Sequence, residues 1–215
     1  MKSKQQVAAI IAALKELYPD ALCSLDYQKD YELLFSVRLA AQCTDARVNL
    51  VTPALFARYP TLEAFAAADV DEVGTYIHSC GFWRAKARDI VAAAQMLVER
   101  FGGKVPDNMD DLLSLPGVGR KTANLILGDI YGTDGYVCDT HCIRISNRLG
   151  LAKGKEPEKV ERQLRAVLPP EESSDFCHRL VLHGRAVCTA RNPKCAVCSL
   201  APWCTYVNGA PAETV

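Results

Sequence analysis

Four cysteines, Cys188, Cys195, Cys198 and Cys204, stand in a C-x6-C-x2-C-x5-C pattern within 17 residues of this 215-residue chain. A segment with so little apolar content of its own is fixed more readily by metal ligation than by a hydrophobic core. The spacing favours an iron–sulfur cluster, a 4Fe–4S centre, over zinc. Four-cysteine zinc modules more often show two separated C-x2-C pairs, and only one such pair is present. The loop between the first two cysteines, Thr189-Ala190-Arg191-Asn192-Pro193-Lys194, is basic. From Cys177 to Val207 the chain carries Arg179, Arg185, Arg191 and Lys194 and no acidic residue, which points to an anionic partner.

Net charge gives no support to that partner, because Lys+Arg and Asp+Glu both number 25. A basic surface must therefore come from uneven distribution. The length allows one large domain or two small lobes. No apolar stretch approaches membrane-spanning length, so no membrane partner is expected. Met1-Lys2-Ser3-Lys4-Gln5-Gln6 leads into an amphipathic helix and does not resemble a signal peptide, which predicts a cytoplasmic protein. In a reducing compartment, clustered cysteines read as metal ligands. The other six (Cys23, Cys43, Cys80, Cys138, Cys142 and Cys177) read as buried or inert thiols.

The apolar period is helical nearly throughout, and the predicted fold class is all-α. Val7, Ile10, Ile11, Leu14 and Leu17 form one stripe, Ile90, Ala93, Ala94, Leu97 and Phe101 another, and Val160, Leu164, Val167 and Leu168 a third. Tyr31 to Cys43 is apolar on most faces and predicts a buried helix. Breaks are expected at Pro53, Pro60, Gly74, Gly81 and Pro106.

Leu115-Pro116-Gly117-Val118-Gly119, between a short helix from Met109 and a longer one from Lys121, is a helix–hairpin–helix pattern. Gly117 and Gly119 allow a tight turn and close backbone approach. The N–H groups opening the next helix suit a phosphate, with Arg120 beside them. Lys121 sits in that first turn, where the macrodipole disfavours an added cation. A neutral amine there is a nucleophile able to form a Schiff base. Its plainer role is a phosphate contact, and the local residues leave the two level. Asp139 lies 18 residues further on, before Thr140-His141-Cys142. It suits a helix N-cap, and equally a carboxylate that stabilises positive charge or handles a proton.

Together these residues resemble the endonuclease III family of DNA base-excision glycosylases. The resemblance rests on Ala41-Gln42-Cys43-Thr44-Asp45, Leu115 to Asn124, Val137-Cys138-Asp139-Thr140-His141, Leu182-His183-Gly184-Arg185 and the four cysteines, in family order across most of the chain. It implies a bilobal helix–hairpin–helix glycosylase fold. Residues 22–133 would form a six-helix barrel lobe, and 1–21 with 134–215 a discontinuous helical lobe bearing the 4Fe–4S cluster. The substrate groove would lie between the lobes.

The implied chemistry is that of a bifunctional DNA glycosylase and abasic-site lyase. Its partner would be double-stranded DNA containing damaged pyrimidines or abasic sites. The resemblance makes Lys121 the nucleophile and Asp139 its supporting carboxylate. Gln42 would fill the gap left by an extruded nucleotide, and Phe82, where relatives often have an aliphatic residue, would be the wedge. Trp83 reads as a core aromatic. Gly117, Gly119, Arg120, Arg191 and Lys194 would meet phosphates. The protein is expected to act as a monomer in a bacterial or archaeal cytoplasm, on the nucleoid.

Overall fold

The computed structural model describes residues 2–209, so Met1 and residues 210–215 of the expected cluster lobe lie outside the described residues. Every regular element among the described residues is helical. The chain divides into two units, Cys23–Tyr131 and a discontinuous one, Met1–Leu22 with Gly132–Val215.

The first unit runs α2 (Asp30–Ala40), α3 (Asp45–Arg58), α4 (Leu62–Ala66), α5 (Val70–Ile77), α6 (Trp83–Phe101), α7 (Met109–Ser114) and α8 (Arg120–Asp129). Side-chain caps set many of the starts. Thr44, Thr61, Asp69 and Asn108 each accept the N–H three residues on. Gly102, left-handed at φ 59°, closes α6. α2 is buried on most faces, with Leu33, Leu34, Phe35 and Leu39 at its centre. Its Phe35 ring meets Phe65 of α4 at 5.0 Å, and Tyr59 meets Phe65 at 5.1 Å. α6 is the spine of this unit: α4 and α5 both pack on it, burying Ala87, Ile90, Ala94 and Leu97.

Two expected breaks are not breaks. Pro53 lies inside α3, whose buried Val48, Thr52 and Leu55 hold the helix through it. Gly74 lies inside α5, where a Cβ would come within 2.5 Å of the Trp83 indole. The residue is small because Trp83 packs there. Pro60, Gly81 and Pro106 do separate helices.

The second unit contains α1 (Lys4–Leu17), α9 (Thr140–Leu149), α10 (Pro157–Val167) and α11 (Ser173–Ala186), followed by the cysteine segment with short 3-10 turns at Cys195–Val197 and Ala201–Trp203. Ser3 and Gln6 close a capping box that starts α1. Ile10 and Leu14 of α1 and Phe176 and Leu180 of α11 are fully buried, whereas Leu17, expected on the same stripe, is exposed. No helix among the described residues is long and apolar enough to cross a membrane.

Candidate nucleic-acid interface and active site

The hairpin is built from a turn in which Val118 N–H donates to Leu115 O at 3.2 Å. Pro116 and Gly117 are its central residues, and Gly117 has φ 74°, the conformation the third position of a type II turn requires. A second constraint acts on Gly117. A Cβ there would fall 2.7 Å from Arg38 Nε and 2.8 Å from Asp89 Oδ2. Those two side chains form an ion pair, Arg38 Nη2 to Asp89 Oδ2 at 2.6 Å, that underlies the turn. Gly119 differs from the expectation: its backbone is extended, φ −102°, and nothing lies within 4 Å of where a Cβ would stand. It leaves open space in front of the next helix, and as the N-cap of α8 it supplies no side-chain cap. The first turn of α8 thus presents its N–H end with Lys121 exposed at the second helical position.

Gln42 and Phe82 share one property. They are the two non-glycine residues with positive φ among the described residues, at 55° and 47°. Left-handed backbone is costly for such side chains and persists where the surroundings over-determine it, commonly at sites of function. Gln42 is exposed in the turn between α2 and α3. Phe82 is 71 % exposed, a large unpacked aromatic at the tip preceding α6. Its neighbour Trp83 behaves oppositely, lying against Gly74, 5.3 Å from the His78 ring, with the Arg84 guanidinium 4.1 Å over its face.

Asp139 is the N-cap of α9: its Oδ1 accepts Cys142 N–H at 2.7 Å. The capping role read from sequence is therefore present, and the carboxylate is half-buried. Lys121 and Asp139 belong to the two different units. Two motif segments do meet within the second unit. His141 Nδ1 stands where a Cβ on Gly184 would fall, 2.3 Å away, so Gly184 is the seat of His141.

The cysteine segment is held by α9 and α11. Arg144 Nη2 donates to Cys188 O at 2.9 Å. One turn on, Arg148 Nη1 donates to Cys188 Sγ at 3.2 Å and Thr189 O at 2.8 Å, and its Nη2 to Ala190 O at 2.9 Å. The Arg148 carbonyl in turn accepts Thr205 Oγ1 at 2.7 Å and Tyr206 N–H at 3.0 Å. His183, buried on α11, places Nε2 3.5 Å from Cys198 Sγ, and burial holds its imidazole below the usual range. Burial pushes the Cys198 thiol up, and Cys188, Cys204 and Cys195 all add to that, so the four sulfurs share one neighbourhood. The four thiols fit an iron–sulfur cluster, which takes one thiolate per iron, and the Arg148 guanidinium adds a donor at the Cys188 sulfur.

Arg191 and Lys194 are exposed on the loop between the first two cysteines. Arg179, counted in the same basic stretch, is not on that surface. It is buried, paired with Asp175 at 2.9 Å, and donates to Tyr18 O. Arg38, Asp89 and Arg148 have no signal in the sequence: none lies in a motif, and their importance comes from partners distant in the chain. His183 does lie in a motif segment, Leu182-His183-Gly184-Arg185, and is a buried hydrogen-bonding residue.

Residues 35–170 match the family model described as HhH-GPD superfamily base excision DNA repair protein. Residues 188–204 match the iron-sulfur binding domain of endonuclease III. The chain is 50% identical over 202 residues to the endonuclease III of Synechocystis sp., covering 94% of this chain and 92% of that one. Two solved structures, a non-covalent endonuclease III–DNA complex and a trapped endonuclease III–DNA covalent intermediate, each match with a TM-score of 0.88 and 39% identity. Both cover 97% of this chain and 98% of the other. The cofactor is a 4Fe–4S cluster. The matches to a base excision DNA repair family over 35–170, to the iron-sulfur binding domain over 188–204 and to curated endonuclease III show a base excision repair enzyme, and the chain belongs to the endonuclease III family.

Proposed function

We propose that this chain binds duplex DNA, excises oxidised, ring-saturated or fragmented pyrimidines, and cuts the resulting abasic site by β-elimination through a Schiff base on Lys121. The observation that carries the reading is Lys121 itself: an exposed amine in the first turn of a helix whose N-cap is a bare glycine, directly after the hairpin. The similar structure of a trapped covalent intermediate supports it.

Gly119 and the α8 N-terminus take a phosphate, with Arg120 beside them, and position the strand without reading its sequence. Phe82 wedges between bases and Gln42 fills the vacated space. The Lys121 amine attacks the sugar C1′, and the bond to the base breaks as the base leaves with a proton. The carboxylate of Asp139 stabilises positive charge developing on the sugar. The nitrogen lone pair then expels O4′, which takes a proton as the sugar ring opens, and the resulting protonated imine at C1′ acidifies C2′. Loss of a C2′ proton breaks the C3′–O bond, and water later releases Lys121.

Cys188, Cys195, Cys198 and Cys204 hold the 4Fe–4S cluster, which when bound cross-links a segment lacking an apolar core. Arg148 orients that segment, and its loop offers Arg191 and Lys194 to phosphates. We read Cys23–Tyr131 as the barrel lobe and the discontinuous unit as the cluster lobe. Every residue the reaction needs lies on one copy of the chain, which supports a monomer. A reducing bacterial or archaeal cytoplasm suits its free thiols.

The test is borohydride trapping on duplex DNA bearing an abasic site or an oxidised pyrimidine. A covalent adduct is expected, lost in Lys121→Ala with DNA binding kept. Binding without any adduct in the parent protein would leave only a non-catalytic iron–sulfur DNA-binding protein.

A further inference from the structure

Lys86 is 1 % exposed, the most deeply buried cation of the Cys23–Tyr131 unit. Two backbone carbonyls receive it: Nζ donates to Leu39 O at 2.8 Å and to Cys80 O at 2.7 Å. Leu39 lies in the last turn of α2, whose terminal carbonyls have no partner within the helix. A cation there is favoured by the helix dipole. Cys80 ends the 3-10 turn His78–Cys80 that leads into Gly81 and Phe82. Burial pulls the Lys86 amine below the usual lysine range, the cost of placing a charge where only dipoles receive it.

The two carbonyls it joins are where the two strained turns begin. Gln42, φ 55°, follows Leu39 by three residues, and Phe82, φ 47°, follows Cys80 by two. The backbone of Lys86 completes the arrangement, since its own N–H donates to Phe82 O at 3.2 Å. One residue thus bonds the chain before Phe82, Phe82 itself and the chain before Gln42. Charge-assisted bonds to otherwise unsatisfied groups are the strong kind, and they supply the over-determination that left-handed backbone requires.

We propose that Lys86 is a positioning residue for duplex opening: its buried ammonium fixes the Gln42 and Phe82 turns against each other, so that both side chains enter the DNA as one unit. This rests on the reading that Gln42 and Phe82 insert into the duplex. Lys86 touches neither substrate nor the reacting atoms, and it acts through the two turns.

The experiment uses the cluster-loaded protein and a duplex carrying one thymine glycol opposite 2-aminopurine, whose fluorescence rises on unstacking. Gln42→Ala and Phe82→Ala are each expected to slow single-turnover base release and to reduce the fluorescence rise. If both behave as the parent protein, the insertion reading fails and this proposal with it. Lys86→Met is expected to lose the fluorescence rise and slow base release by up to about 10²-fold, the cost of misplacing a positioning element. Affinity for undamaged duplex should hold, because phosphate contacts dominate it. Combining Lys86→Met with Gln42→Ala and Phe82→Ala should slow the reaction no further than the worst single change, since all three remove one step. Additive losses, or a normal fluorescence rise in a folded Lys86→Met beside impaired Gln42→Ala and Phe82→Ala, would overturn the proposal and leave the insertion reading standing. If Lys86→Met does not fold, Lys86→Gln is judged by the same criteria. It keeps donors but is one atom too short to span both carbonyls.

Discussion

Asp139 performs a structural task that can be separated from its proposed chemical one. Its Oδ1 caps α9 through Cys142 N–H at 2.7 Å. Asparagine caps as well as aspartate, so Asp139→Asn keeps that bond and loses only the charge at the helix N-terminus, about 0.3–1 kcal/mol. Asp139→Ala loses the cap too, a further ~1 kcal/mol. For a chain of this size each kcal/mol moves the melting midpoint by about 2–4 °C. Asp139→Asn should therefore melt within a few degrees of the parent protein, and Asp139→Ala should melt measurably below Asp139→Asn. Activity should not follow that order. If the carboxylate stabilises charge on the sugar, both variants lose it equally, and single-turnover cleavage of an oxidised-pyrimidine duplex should fall by ~10²–10⁴-fold in each. The assay pairs urea or thermal melting with quenched single-turnover kinetics at saturating enzyme. An Asp139→Asn protein that cleaves at the parent rate would show that the residue is a cap and nothing more.

Two further perturbations probe the cysteine segment. Arg148→Ala removes the donors to Cys188 Sγ, Thr189 O and Ala190 O, so the visible absorption of the cluster should bleach faster under chelator or oxidant than in the parent protein. Equal bleaching rates would remove Arg148 from the support of the cluster. Lys194→Glu, at an exposed loop position, should weaken DNA binding and lower the magnitude of the salt-dependence slope by about 1, with the cluster spectrum intact. An unchanged slope would take this cation out of the interface.

Residues whose roles depend on near neighbours were legible in the sequence. Leu115-Pro116-Gly117-Val118 specifies its own turn through a fixed proline φ and a glycine at positive φ. Asp139 caps the N–H three residues away, and the helical stripes are buried except toward their C-terminal ends, at Leu17, Phe101 and Val167. The exceptions came from contacts across the unit. Gly74 and Pro53 looked like breaks because propensity is local, whereas the Trp83 indole and the buried face of α3 are not. Arg179 looked like part of a basic surface until Asp175 and Tyr18 took it inward.

The helical class, the hairpin, the cap at Asp139 and the cysteine spacing follow from residues that stand within a few positions of one another. What holds these parts in place comes from packing between segments far apart in the chain. Lys86 reaches a carbonyl 47 residues away, Arg38 meets Asp89 across 51, and Arg148 meets Cys188 across 40. A cation on a helix has no periodicity that announces its partner. Its role is fixed when folding buries it beside a carbonyl, carboxylate or thiol that water no longer reaches, and that is a property of packing rather than of sequence pattern.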